Sequence, residues 1–209
     1  MRKRDIKRRA ILETAYRLFR TQGFDKTSVS QITAEVGGSK ATIYNHFPSK
    51  EVLFVECMTT AADDYIAGIV DQSIGQLDNT EADPSVVLRD FGTAFLNFVC
   101  SPDMVAARRL MIAEAARSGI GKLFFDKITT MRMYVALFLS NLMETGVLHP
   151  GDPQIAAEHL RALLEAELLE PLMLQARDNL PDEKEIATAA DRAVAAFLRA
   201  YVPAESLID

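Results

Sequence analysis

This chain predicts an all-α fold: an N-terminal three-helix domain containing a helix-turn-helix, followed by a larger helical body. Three observations lead there. Apolar residues recur at helical spacing along most of the chain, and no stretch alternates at period two for long. Glycine and proline stand between the periodic segments, where they act as punctuation. Residues 23–51 contain two short helical patterns separated by Gly37-Gly38. With 209 residues, 49% of them apolar, the chain can bury a full core.

The first helix spans roughly Asp5 to Gln22. Ile11, Ala15, Leu18 and Phe19 fall at i, i+4, i+7 and i+8 and form the face that covers the motif. Arg8, Arg9, Arg17 and Arg20 lie on other faces, within reach of a flanking phosphate backbone.

The second helix starts at Ser28, and Gln31 three residues later completes a capping-box pattern. Val29, Ile32 and Val36 make its inward stripe. Gly37-Gly38 ends it, since glycine takes positive φ without steric penalty. The third helix is capped by Ser39 and is short, because Pro48 forces the chain out of helix near Phe47. Ile43 and Phe47 anchor it, leaving Lys40, Thr42, Tyr44, Asn45 and His46 on other faces. Polar groups on two turns held by two apolar pegs suit a helix that reads the major groove of DNA. A small solvated surface helix has the same spacing.

Charge separates these readings. Residues 1–50 hold eleven Lys or Arg against four acids, a net of +7, whereas the whole chain is −6. Residues 51–209 therefore carry −13, and the sequence pI is near 5.2. Basic charge concentrated on the segment with the motif is the electrostatic footprint of a DNA-binding domain. A basic tail of no consequence accounts for Arg2 to Arg9 but not for the adjoining motif.

The residues that carry this motif also carry a resemblance. Ile11-Leu12, Ala15, Phe19, Gly23-Phe24, Thr27-Ser28-Val29, Ile32, Gly37, Thr42-Ile43-Tyr44, His46-Phe47 and Ser49-Lys50-Glu51 resemble the N-terminal domain of the TetR family of transcriptional regulators. The resemblance covers roughly the first 55 residues. Beyond them the chain resembles the family in helical character and length alone. Val36 stands where a small alanine is usual. Gly38 stands where valine is common, which predicts a looser turn and a recognition helix free to tilt.

The resemblance implies roles. Lys40, Ala41, Thr42 and Asn45, after the Ser39 cap, correspond to positions facing bases or nearby phosphates. Lysine can donate to guanine, and the Ala or Thr methyls can touch a thymine methyl. Tyr44, His46 and Lys50 correspond to phosphate-contacting positions, and Thr27, Ser28 and Ser30 line the start of the preceding helix near the backbone. Lys50 also opens the fourth helix, whose N-terminus favours a phosphate. For His46, a purely structural place beside Phe47 is the alternative.

The body reads as helices at Lys50 to about Gln72 (frayed around Gly68 and Gly75), Val86–Cys100, Pro102–Ser118, Leu123–Thr145, Pro153–Asn179 and Pro181–Tyr201, with a polar loop over 71–85. Several prolines fall at helix starts, their favoured helical position. Pro171 lies inside a helix that it should kink or divide. The expected domains are 1–50, a helix-turn-helix DNA-binding domain, and 51–209, a helical effector-binding and dimerisation domain.

Leu160, Leu164 and Leu168 lie on the leucine face of the penultimate helix, and Ala190, Ala193 and Phe197 on the alanine-rich face of the last. Two such pairs can build a four-helix bundle across a two-fold axis, or both faces can close the monomer's own core. Palindrome reading and the resemblance point to the dimer. Phe91, Phe95, Met104, Met111, Phe124, Met131, Tyr134 and Phe138 crowd the middle helices. They are candidates for an adaptable effector pocket, or ordinary core. Arg109 and Glu114 are polar residues among these apolar neighbours.

Other chemistry is not encouraged. Cys57 and Cys100 lack partner spacing, and two cysteines fit a reducing cytoplasm. The three histidines lack metal-ligand spacing. Gly119-x-Gly121 is no dinucleotide fingerprint. No apolar run is long enough to span a membrane. No cofactor, metal or catalytic residue is expected. The leading expectation is a cytoplasmic, homodimeric, ligand-responsive transcriptional regulator, a repressor released from a palindromic operator on double-stranded DNA by a small apolar or amphipathic effector. A DNA-binding protein of the same fold controlled by a protein partner is the alternative, and an all-helical enzyme a distant third.

Overall fold

The computed structural model describes residues 3–77, 83–117 and 119–203. Ten helices form them: α1 (Lys3–Lys26), α2 (Val29–Val36), α3 (Lys40–Tyr44), α4 (Lys50–Leu77), α5 (Pro84–Val99), α6 (Pro102–Glu114), α7 (Ile120–Glu144), α8 (Pro153–Glu165), α9 (Leu169–Met173) and α10 (Glu183–Tyr201). No strand occurs among the described residues.

The chain divides into two compact units, one of residues 1–62 and 106–128, the other of 63–105 and 129–209. In the first, Ile11, Ala15, Phe19, Ile32, Ile43, Phe47, Leu53 and Phe54 form a continuous core with Ala107, Met111 and Ile120. Phe19, Phe24 and Phe54 are its aromatic centre. Phe54 meets Phe19 and Phe24 edge-on at 5.1 and 5.2 Å between centroids, and Phe19 stacks on Phe24 at 5.8 Å. Such pairs add about 0.5–1.5 kcal/mol each beyond burial. Three N-terminal helices alone form a small core, and Leu53 and Phe54 from the start of α4 enlarge it. The contribution of residues 106–128 has no counterpart in local sequence pattern.

The second unit is built on α10, which packs chiefly against α5 and α8. Gly92 permits the approach of α8 to α5: a Cβ there would lie 2.9 Å from Leu164 Cδ2. Asp182 and Glu185 close a capping box, so α10 starts at Glu183 rather than Pro181. Asp83 likewise caps α5 at Pro84, two residues before the expected Val86.

Other bounds differ from expectation for identifiable reasons. α4 runs through Gly68 and Gly75 to Leu77, because Ile66, Ile69 and Val70 are buried and packing overrides glycine's poor propensity. Residues 71–77 are therefore helix, while 78–82 of the expected loop lie outside the described residues. α6 ends at Glu114, four residues short of Ser118, which is itself outside the described residues, and α7 begins at Ile120 rather than Leu123. The long helix expected over Pro153–Asn179 is two. Pro171 has no N–H for the carbonyl four residues back and its ring clashes there, so α8 stops at Glu165 and α9 restarts at Leu169.

The dimer face read from sequence is corrected. Leu160, Leu164, Leu168, Ala190, Ala193 and Phe197 are all buried in the protomer's own core. Helical periodicity marks a buried face without saying what buries it. The proposed pocket lining is also redistributed. Phe91, Phe95 and Phe138 belong to the second core, with Phe91 5.6 Å from Phe138 and 6.2 Å from Phe95. Met111 is buried in the first core and Phe124 packs on it. Met104 is half-buried and Tyr134 exposed, and the Met131 side chain lies outside the described residues. Met111 and Phe124 thus belong to the first unit, and the other six positions to the second.

Candidate nucleic-acid interface

The reading head is assembled from two consecutive capping boxes. Ser28 Oγ accepts from the Gln31 N–H at 3.2 Å, and Gln31 Oε1 accepts from the Ser28 N–H at 2.7 Å, which starts α2. Ser39 Oγ accepts from the Thr42 N–H at 3.2 Å, and Thr42 Oγ1 accepts from the Ser39 N–H at 3.2 Å, which starts α3. The second box uses threonine where Glu or Gln is usual, so the sequence showed the Ser39 cap but not its reciprocal.

α3 is pinned by Ile43 and Phe47, both essentially buried. Opposite them, Ser39, Lys40, Ala41, Tyr44 and Asn45 are exposed, Tyr44 by 47%. At i, i+1, i+4 and i+5, Lys40, Ala41, Tyr44 and Asn45 share one face. Thr42 and His46 are half-buried, Thr42 with its hydroxyl spent on the cap. Ser28 and Ser30 are exposed at the start of α2. Thr27 is a correction: it is fully buried and its hydroxyl donates to the Gly23 carbonyl at 2.8 Å. That bond ties the end of α1, broken by Gly23 at φ 81°, to the start of α2.

The turn between α2 and α3 is made by two glycines in left-handed backbone. Gly37 and Gly38 both take positive φ, 76° and 106°. The φ of Gly38 would strain any side chain there, and a Cβ would stand a tight 3.3 Å from Thr42 Oγ1. From α1, the Lys7 ammonium donates to the Val36 and Gly37 carbonyls, each at 2.8 Å.

Several cations counted in the basic footprint are committed to the protein. Arg8 pairs with Glu56 at 2.5 Å and lies 5.1 Å from the centre of the Phe47 ring. Arg9 pairs with Glu13 at 2.9 Å, Arg17 pairs with Glu35, and Arg20 lies 5.4 Å from the Tyr16 ring. The Lys50 ammonium sits 4.2 Å from the centre of the Phe24 ring rather than turning wholly outward. Burial lowers its pKa, opposed by Asp25, Glu51 and Glu114. Lys40 and Lys26 are exposed. Lys7 and the Arg8–Glu56 pair were missed because their partners lie 29 to 48 residues away, beyond any local pattern.

Comparison with known proteins matches this head, residues 11–57, to the model of the bacterial regulatory proteins of the tetR family. Residues 86–203 match the C-terminal domain of AefR-like transcriptional repressors. The chain belongs to the TetR family. It is a DNA-binding transcriptional regulator with a helix-turn-helix, not an enzyme. The helix-turn-helix-type transcriptional regulator YxaF of Bacillus subtilis, itself uncharacterised, is 31% identical over 70% of this chain and 75% of its own. A TetR-family regulator of Mesorhizobium loti superposes with a TM-score of 0.80 at 28% identity, covering 97% of this chain and 100% of that one. The flavonoid-responsive regulator FrrA superposes with a TM-score of 0.69 at 28% identity, covering 96% and 99%.

Among the described residues no cluster of three or more His, Cys, Asp or Glu is placed to hold a metal ion. No helix among them is long and apolar enough to cross a membrane.

Proposed function

We propose that this TetR-family regulator is a cytoplasmic homodimeric repressor. Residues 1–50 read a palindromic operator, and residues 51–209 sense an effector and pair the protomers. The observation that carries the reading is the exposed face of Ser39, Lys40, Ala41, Tyr44 and Asn45, held by buried Ile43 and Phe47 between capped helix starts. Lys40 donates to a guanine edge, Ala41 meets a thymine methyl, and Asn45 reaches a base or phosphate. Tyr44, Ser28 and Ser30 fix the frame on the phosphates, with the half-buried His46 and Lys50 beside them. One α3 reads one half-site, so a palindrome requires two protomers.

Repression is supported by the AefR-like repressor model that residues 86–203 match. A flavonoid-responsive relative at 28% identity supports a small aromatic, amphipathic effector. Such a molecule releases the operator by binding the DNA-free state more tightly than the DNA-bound one. Because the leucine and alanine faces are spent on the protomer's core, pairing falls to the exposed sides of α8 and α10, where Ile155, His159 and Ala162 stand out. Control by a protein partner is the second reading, favoured by Met133, Tyr134 and Leu137 exposed together on α7.

Retention of sheared genomic DNA on the purified protein, followed by sequencing, tests the proposal. Enrichment of one short palindrome is expected, with release by members of a flavonoid and phenolic panel. Retention without a shared sequence would leave backbone binding only, and a palindrome unaffected by the panel would favour the protein partner.

A further inference from the structure

Lys7 belongs to the basic N-terminal run, yet its ammonium is directed at the end of α2. The last carbonyls of a helix lack intrahelical partners and carry its partial negative charge. Here two of them, on Val36 and Gly37, accept from Lys7 Nζ at 2.8 Å each. The residues that follow the helix cannot supply such a donor, because Gly37 and Gly38 have no side chains. Both take positive φ, and a pair of glycines leaves the backbone more conformational freedom than any other dipeptide. Immediately beyond lies Ser39, whose capping box starts α3.

We propose that Lys7 is a positioning residue for DNA recognition: by holding the Val36 and Gly37 carbonyls from α1, it selects one geometry of the Gly37-Gly38 turn and so presets the exposed face of α3. This rests on the reading of α3 given above. The interaction is charge-assisted and joins residues 29 and 30 apart, so it orients α3 against α1 rather than against α2 alone. A lysine in this role differs in a measurable way from one on a phosphate. It releases no counterions on binding, so its removal changes fit to the correct sequence without changing the salt dependence.

The test compares the full-length protein with Lys7→Met, which keeps the stem but not the donor, and Lys7→Arg, which keeps the charge. Binding is measured to the enriched operator and to a scrambled duplex of equal length, from 50 to 200 mM salt, about the range over which phosphate contacts declare themselves. For Lys7→Met the expected result is a roughly tenfold loss of operator affinity with an unchanged salt slope and scrambled-duplex binding within about twofold. Lys7→Arg restores most of the operator affinity. Parallel loss on both duplexes, with the slope shallower by about 0.9 per protomer bound, would make Lys7 a phosphate contact and overturn the proposal. No change on either duplex would overturn it as well. A wild-type chain that binds both duplexes alike would instead overturn the reading of α3 itself. If Lys7→Met fails to fold by circular dichroism, Lys7→Gln, which keeps one uncharged donor, carries the same comparison.

Discussion

The Arg117 guanidinium lies 2.5 Å from the Asp25 carboxylate, joining the connection after α6 to the last turn of α1 across 92 residues of sequence. The same guanidinium contacts Glu114 at 2.7 Å, and the bond it donates to Asp25 raises its already high pKa. Exposed ion pairs contribute little to stability by themselves. What gives this one a defined position is the connection that carries Arg117. There the Gly121 N–H donates to the Ala115 carbonyl at 3.0 Å, and buried Ile120 belongs to the same core as Phe24.

Helical glycines here should respond to alanine with opposite signs. Gly121 is closed in: a Cβ would lie 2.7 Å from the Ala115 carbonyl oxygen, a backbone atom with nowhere to move. Gly121→Ala should therefore destabilise by about 1–3 kcal/mol, despite alanine's better helix propensity. Gly68 and Gly75 in α4 have nothing within 4 Å of a Cβ. Alanine at either should stabilise by about 0.5–1 kcal/mol. Urea unfolding of the three variants checks the signs, and a stabilised Gly121→Ala would contradict the close approach.

Lys40 and Lys50 should separate into a reader and a partly structural cation. Lys40→Ala should relax preference at one base position per half-site, worth about 1–3 kcal/mol of discrimination, and leave thermal stability alone. Lys50→Ala loses the contact with Phe24 and should cost about 0.5–2 kcal/mol of stability alongside any weakening of DNA binding. Sequence selection from a random duplex library, paired with thermal unfolding, distinguishes them. Uniform loss across all sequences for Lys40→Ala would remove its base-reading role.

Truncating the leucine face should unfold protomers rather than separate them. Leu160 and Leu164 are essentially fully buried within the second core. Leu160→Ala or Leu164→Ala should cost about 2–5 kcal/mol through lost burial and the cavity left behind. Sedimentation velocity with parallel urea titrations decides: well-folded monomers with undiminished stability would return these leucines to an interface.

Acid should destabilise this fold through its caps and carboxylate pairs. Bonds from the Ser85 N–H and hydroxyl lower the Asp83 pKa. The bond from Arg192 does the same for Glu167, and the Asp182 N–H, followed by Arg177, does so for Glu185. Each folded-state value lies below the unfolded one. The stabilisation is thus present above the unfolded pKa and lost as pH falls through the folded one. Unfolding midpoints should begin to drop below about pH 4.5, and Asp83→Asn, which still caps, should make the drop shallower. A midpoint flat to pH 3 would contradict these carboxylate interactions.

Much of the reading head was legible because its determinants are local. The Ser28–Gln31 box, the glycine stop, the Ser39 cap and the Ile43 and Phe47 pegs each involve residues within four positions of one another, and each is found as read. The division of the helix around Pro171 follows equally from a missing N–H. Glycines misled where tertiary burial outweighed propensity, as in α4. Basic residues misled where charge was counted without partners, as for Lys7, Arg8 and Arg17.

By itself the sequence determined the all-helical class, the Ser28 and Ser39 caps, the polar outward face of α3 and the family, since hydrogen bonds and periodicities spanning a few residues are written in adjacent letters. Only the tertiary structure decided that Leu160 and Phe197 close the protomer's own core, that Thr27 is buried, and that Lys7 turns inward to hold α2. Those outcomes depend on which distant surfaces meet, and a periodic face or a positive charge accepts any partner that chain folding brings to it.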